Sequence, residues 1–139
     1  MIKESNKPKI VSCGITPAYI GELKDNEIFV FGSNLQGIHG GGAARIAREY
    51  FGAIMGQGVG LQGQSYAIPT MQGGVRTIKP YTDEFIEFAK ANTNLHFLVT
   101  RIGCGIAGFR DEDIAPLFDN AINLTNVSLP KEFIDVITG

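Results

Sequence analysis

Apolar residues fall along this chain in two rhythms, one suited to strands and one to helices. Ile28-Phe29-Val30-Phe31 is a continuous β-prone run, the pattern of a strand buried on both faces, and it ends in Gly32-Ser33-Asn34. Ala43, Ile46, Ala47, Tyr50 and Phe51 then recur at helical spacing, with Arg45, Arg48 and Glu49 on the other side, and Gly52 marks the end of that helix. Ser65-Tyr66-Ala67-Ile68 predicts a strand closed by Pro69. Thr82 is placed to cap a helix running to about Ala91, with Asp83 and Glu84 in its first turn. Phe85, Ile86, Phe88 and Ala89 supply its buried face. His96 to Ile102 predicts another strand. Beyond it, Asp111 or Asp113 can cap a helix carrying Ile114, Leu117, Phe118 and Ala121, with Pro116 tolerated in its first turn. Ile10 to Cys13 is expected as a short strand, Gly14 to Asn26 as turns, and Ile134 to Ile137 as a last edge strand. Strands alternating with helices predict a single α/β layered domain over residues 1–139, with a largely buried sheet.

Glycine placement sharpens this picture. The chain has 18 glycines, clustered at residues 37–42, 52–63 and 103–108. The first and last clusters each follow a predicted strand and precede a predicted helix, where ligands of α/β sheets collect. In the first, Gly40-Gly41-Gly42 leads into Ala43-Ala44-Arg45. Small residues there let backbone N–H groups approach an oxyanion, and the helix start adds free donors and a positive dipole end. The competing explanation is close packing of helix on sheet. No Gly-Lys-Ser/Thr follows, so this is not a nucleoside-triphosphate P-loop. In the last cluster, Gly103, Cys104, Gly105, Ile106, Ala107 and Gly108 can present successive N–H groups as an anion-binding nest, with Phe109 placed to pack on a ribose or base. Phe109 as a core aromatic and Cys104 as a small packing residue are the structural alternatives.

Asn34, where the first strand ends, can both donate to and accept from a sugar hydroxyl, or can shape a turn. His39 can act as a general acid or base; a solvent-exposed loop histidine is the reading preferred for it. In the middle cluster, Gln62, Gln64 and Ser65 either contact a ligand or satisfy backbone groups.

Charge narrows the partners. Twelve Lys and Arg against fourteen Asp and Glu give a net charge of −2 and a pI near 5.6. That lacks the basic surplus by which nucleic acids are held, so an anionic ligand is expected to be held locally, by backbone donors. No apolar run approaches the roughly 20 residues of a membrane helix, and no signal segment is evident, so a cytoplasmic protein without membrane contact is expected. Two cysteines and two histidines lie scattered without metal-ligand spacing. Neither a metal nor a cofactor is expected.

The order of strand, Asn34, glycine run and helix, followed by a strand ending in Arg101-Ile102-Gly103-Cys104-Gly105, resembles the macrodomain family. The second loop is especially similar to the branch of terminal ADP-ribose glutamate hydrolases. The resemblance spans roughly Ile28 to Phe118. It implies a three-layer α/β/α sandwich around a mixed sheet, an Asn34 that contacts the distal ribose, and two phosphate loops formed by residues 40–43 and 103–109. The chain departs from the family where catalysis resides. Gly14-Ile15-Thr16 lacks the Asp that holds adenine in many members. Ala43-Ala44 stands where one hydrolase branch has an Asp. Pro69-Thr70-Met71 and Ala107 stand where the terminal-type enzymes use a Lys and an acidic residue, and there is no glutamate pair of the polymer-degrading kind.

Three functions are compatible with these residues. The first, and the favoured one, is a module binding ADP-ribose or a related NAD-derived nucleotide, free or on an ADP-ribosylated protein. The second is a hydrolase removing ADP-ribose from protein, or phosphate from ADP-ribose-1″-phosphate, with His39 and Asn34 as its catalytic pair. The third is a non-catalytic scaffold or protein-interaction domain.

Overall fold

The structure, a computed structural model, describes residues 14–139. The strand expected over residues 10–13 lies outside them. Elements follow in the order β1 (Ile15–Thr16), β2 (Glu27–Ser33), α1 (Gly42–Tyr50), β3 (Gly60–Gln62), β4 (Ser65–Pro69), α2 (Val75–Ala91), β5 (His96–Val99), α3 (Asp111–Ile114), a 3₁₀ helix (Ala115–Ala121), β6 (Val127–Pro130) and α4 (Lys131–Thr138). The six strands form one mixed sheet in the order β1-β6-β5-β2-β4-β3, parallel except where β3 runs against β4.

Helices on both faces of the sheet make three α/β/α layers. β2 lies inside the sheet between β4 and β5 and sends its side chains to both cores. Ile28 and Val30 join a large cluster with Phe85, Phe97, Phe118 and Phe133, under α2, the 3₁₀ helix and α4. Phe29 and Phe31 point the other way, into a smaller cluster with Ala44, Ala47 and Phe51 of the α1 layer. The apolar run of β2 is thus explained by burial on both sides. Three strand-to-helix junctions, after β2, β4 and β5, open at one edge of the sheet.

Several expected elements differ. The helix placed at Thr82 begins seven residues earlier, at Val75, and carries Pro80 on its exposed side. Starting there buries Ile78 completely, on the same stripe as Thr82, Phe85, Ile86 and Ala89. Thr82 sits inside the helix, its hydroxyl donating to the Lys79 carbonyl at 3.0 Å. Ile134 to Ile137 belongs to α4, not to an edge strand: Phe133 and Ile134 face the core and Lys131 pairs with Asp135 one turn on. The strand of that region is β6, fully buried, and Pro130 ends it. On α1, Ala44, Ala47 and the following Phe51 pack inward, whereas Ile46 and Tyr50 are exposed. Small side chains let this helix lie close to the sheet. Neither Asp111 nor Asp113 is the cap residue of α3. Arg110 holds that position, and the Asp113 carboxylate accepts its backbone N–H at 3.0 Å. No helix among the described residues is long and apolar enough to cross a membrane.

Candidate functional site

A cleft of about 360 Å³ opens at the carboxyl ends of β2, β4 and β5. Asn34, Ile38 and Gly40 to Ala44 form one wall, and Gly103, Gly105, Ile106 and Ala107 the other. The first loop is shaped by Asn34, whose amide closes a ring with one residue: Nδ2 donates to the Ile38 carbonyl and the Ile38 N–H donates to Oδ1, both at 2.9 Å. Behind this loop lie residues 52–64, which include the middle glycine loop of residues 56–64. Ser33 donates to the Gly58 carbonyl at 2.6 Å, and Gly56 N–H donates to the Gly37 carbonyl at 2.9 Å. Gln62 joins Ile54, Gln57 and Gly60, Gln64 reaches the carbonyls of Lys24 and Glu27, and Ser65 donates to Phe51. These three side chains satisfy backbone groups, and the segment braces the first loop through the bonds of Gly58 and Gly56.

Of the residues expected to meet a ligand, Asn34, Gly40, Gly41, Gly42, Ala43, Gly103, Gly105, Ile106 and Ala107 all line this one cleft. Among the described residues, the amides of Gly42, Ala43 and Ala44 at the start of α1, and of Gly105, Ile106 and Ala107 across from them, donate to no backbone carbonyl. A Cβ built on Gly40, Gly42 or Gly105 meets nothing within 4 Å, so these glycines keep space open. At Gly41 a Cβ would come 3.7 Å from Cδ1 of Ile106, so the two loops nearly touch over the cleft.

Cys104, Gly108 and Phe109 do not line it. Phe109 packs against the larger core cluster. Gly108 N–H donates to the Gly105 carbonyl at 3.0 Å and tightens the second loop. The Cys104 thiol donates to Asp111 Oδ1 at 3.5 Å, and burial, reinforced by the Asp111 charge, pushes its pKa up to about 11. A neutral thiol is a poor nucleophile.

His39 is neither exposed nor in the cleft. Its side chain is fully buried, edge-on to Phe31 with ring centroids 5.2 Å apart. Nε2 lies 3.1 Å from the Gln57 carbonyl, which accepts, so the proton sits on Nε2 and the buried Nδ1 has no partner. The His39 carbonyl accepts from Arg48 Nε of α1 at 3.0 Å. His39 therefore fastens the first loop to the core and to the helix. The catalytic pair expected of His39 and Asn34 is not assembled, because one ring is turned inward and the other amide is occupied by Ile38.

Sequence reasoning overlooked four side chains that complete the cleft: Ser33, Thr70, Thr100 and Arg101. Each stands at or just beyond the carboxyl end of a parallel strand, the position that marks ligand contact in such sheets. Ser33 and Thr100 give their protons to the Gly58 and Val30 carbonyls at 2.6 and 2.8 Å, and Thr70 leans toward the Ser33 carbonyl at 3.4 Å. Their remaining capacity toward the cleft is as acceptors. Arg101 is the one ionisable side chain among the described lining residues. Ile38, Met71 and Ile106 are exposed at its margin.

A second hollow, of about 640 Å³, lies at the amino ends of β2 and β5. Glu22 and Glu27 face it beside His96, whose Nε2 is 2.7 Å from Ser128 Oγ. Two carboxylates disfavour an anion there. Among the described residues no group of three or more His, Cys, Asp or Glu side chains is placed to hold a metal ion. No family model, curated protein or solved structure matches this chain.

Proposed function

We propose that the cleft binds ADP-ribose or a close NAD-derived nucleotide and holds it intact. The observation that carries this reading is the pair of glycine loops facing each other with unused amides, one of them at a helix start. In this reading the diphosphate lies between those loops. Each hydrogen bond from an amide to a charged oxygen is worth about 1.5–3 kcal/mol, and the start of α1 adds about 0.3–1 kcal/mol through its dipole. The ribose hydroxyls donate to the lone pairs of Ser33, Thr70 and Thr100, which have little else to offer a ligand. The resemblance to macrodomains points to the same ligand class, and the layered α/β/α fold agrees with it.

Cleavage is disfavoured by the fates of the two residues suited to it. His39 is sealed behind the loop, and Asn34 is committed to Ile38.

Thermal unfolding with added nucleotide tests the proposal. At a hundredfold excess over Kd a ligand stabilises the fold by about 2.7 kcal/mol. At roughly 3 °C per kcal/mol for a chain of this size, ADP-ribose should raise Tm by about 8 °C. AMP, without the diphosphate, should raise it less. No shift with ADP-ribose, NAD or AMP would mean that the cleft serves another ligand or none.

A further inference from the structure

Arg101 stands immediately before the second glycine loop, and its guanidinium is already fixed in place. Nε donates to Asp111 Oδ1 at 3.1 Å and Nη2 to Asp111 Oδ2 at 2.9 Å, a two-pronged pairing that sets the plane of the fork. Asp111 is the sheltered member of the pair, its side chain 22% exposed against 50% for Arg101. The Cys104 thiol donates to the same carboxylate oxygen that accepts from Arg101 Nε. The pairing occupies one edge of the guanidinium. The donors of Nη1 and the second donor of Nη2 meet no acceptor among the described residues. Every other described side chain lining the cleft is neutral.

An exposed arginine tied to an aspartate is commonly a surface brace, contributing about 0–1 kcal/mol. This one differs by belonging to a residue that lines the same cleft as Gly105, Ile106 and Ala107, whose amides are unused. We propose that Arg101, oriented by Asp111, is the specificity-determining residue of the cleft, its free donors taking an anionic oxygen of the ligand's diphosphate. This rests on the nucleotide reading above and adds the side chain that makes the cleft select for charge. A fork held in one plane loses less freedom on binding than a loose side chain, and lysine, a point charge on a flexible stem, does not replace it.

The test is calorimetric titration of wild type, Arg101→Gln and Arg101→Lys with ADP-ribose and, separately, with inorganic pyrophosphate, alongside the Tm of each unliganded protein. Arg101→Gln should bind both at least tenfold more weakly, with its unliganded Tm within about 3 °C of wild type. Arg101→Lys should remain at least threefold weaker than wild type. Wild-type affinity of Arg101→Gln for both ligands overturns the proposal and leaves Arg101 a brace between β5 and α3. If Arg101→Gln proves unstable, Arg101→Lys decides, and wild-type affinity in that variant overturns it equally. Pyrophosphate bound by wild type and lost in Arg101→Gln, with ADP-ribose ignored, would sink the nucleotide reading while the role of Arg101 stands. Binding of neither ligand by wild type sinks both.

Discussion

A Cβ built on Gly58 would run into the carbonyls of Asn34 and Leu35, whereas one built on Gly105 would meet nothing within 4 Å. The two glycines stand for two regions of the molecule. Between residues 52 and 64 the chain passes so close behind the first loop that backbone touches backbone: Gly58 lies against residues 34–35, Gly63 against Gly52, and Gly37, at φ +72°, against Gln57. These glycines are small because neighbouring chain leaves no room. Around the cleft, Gly40 and Gly105 are small although there is room, while Gly42, equally uncrowded, is held at φ +58°, where glycine is favoured. Close packing accounts for the first group and fails for the second. Open space at these positions fits the ligand cleft proposed above.

Substitutions should separate the two regions cleanly. The largest effect is expected from Gly58→Ala, which forces backbone apart at the brace. It should cost about 3 kcal/mol, on the scale of severe overpacking, and lower Tm by roughly 10 °C in a thermal melt. His39→Ala comes next. Losing a fully buried ring and its bond to Gln57 should cost about 2 kcal/mol in denaturant unfolding, because the hole lies in the α1 layer. Gly40→Ala, on the cleft side, should leave stability within about 0.5 kcal/mol of wild type and weaken ADP-ribose a fewfold. A loss of stability comparable to that of Gly58→Ala would erase the distinction between the regions.

The last effect concerns pH and is absent at neutral pH. Burial first, and then Glu84, raises the Tyr66 pKa from 10.0 to about 12. A folded-state value above the unfolded one favours the protonated phenol in the native protein. The associated stability is complete below pH 10 and is lost as the pH rises from 10 through 12. Tyr66 packs in the larger core, edge-on to Phe85, and does not line the cleft. Tyr66→Phe should flatten stability over that window while ADP-ribose affinity at neutral pH stays unchanged.

The sequence made the central strand and both cleft loops readable for local reasons. A continuous β-prone run and glycines at strand-to-helix junctions carry their meaning within a few residues. What it concealed depends on distant partners. The burial of His39 requires Phe31 on one side and the carbonyl of Gln57, 18 residues away, on the other. The start of α2 was masked by Pro80, a helix breaker by propensity that is tolerated here on the exposed side while Ile78 is drawn into the core. Ile134 to Ile137 is apolar enough for either element, and the i,i+4 pair of Lys131 and Asp135 was the available sign of a helix. β1 and β3, of two and three residues, are too short to show a periodicity. Thr70 was legible in principle, since it directly follows a strand; Thr100 and Arg101 fall inside the strand expected over residues 96–102 and stand beyond β5 because that strand ends at Val99. Without the sheet order nothing singles out which strand ends converge.

The most direct test of the ligand cleft is a calorimetric titration of ADP-ribose into wild type and Gly105→Glu. The open space at Gly105 predicts that this variant folds as wild type does. Its carboxylate should then stand against the diphosphate. Wild type should bind saturably and the variant at least thirtyfold more weakly, at unchanged Tm. Equal affinity in the two proteins, or no heat from wild type, would contradict it.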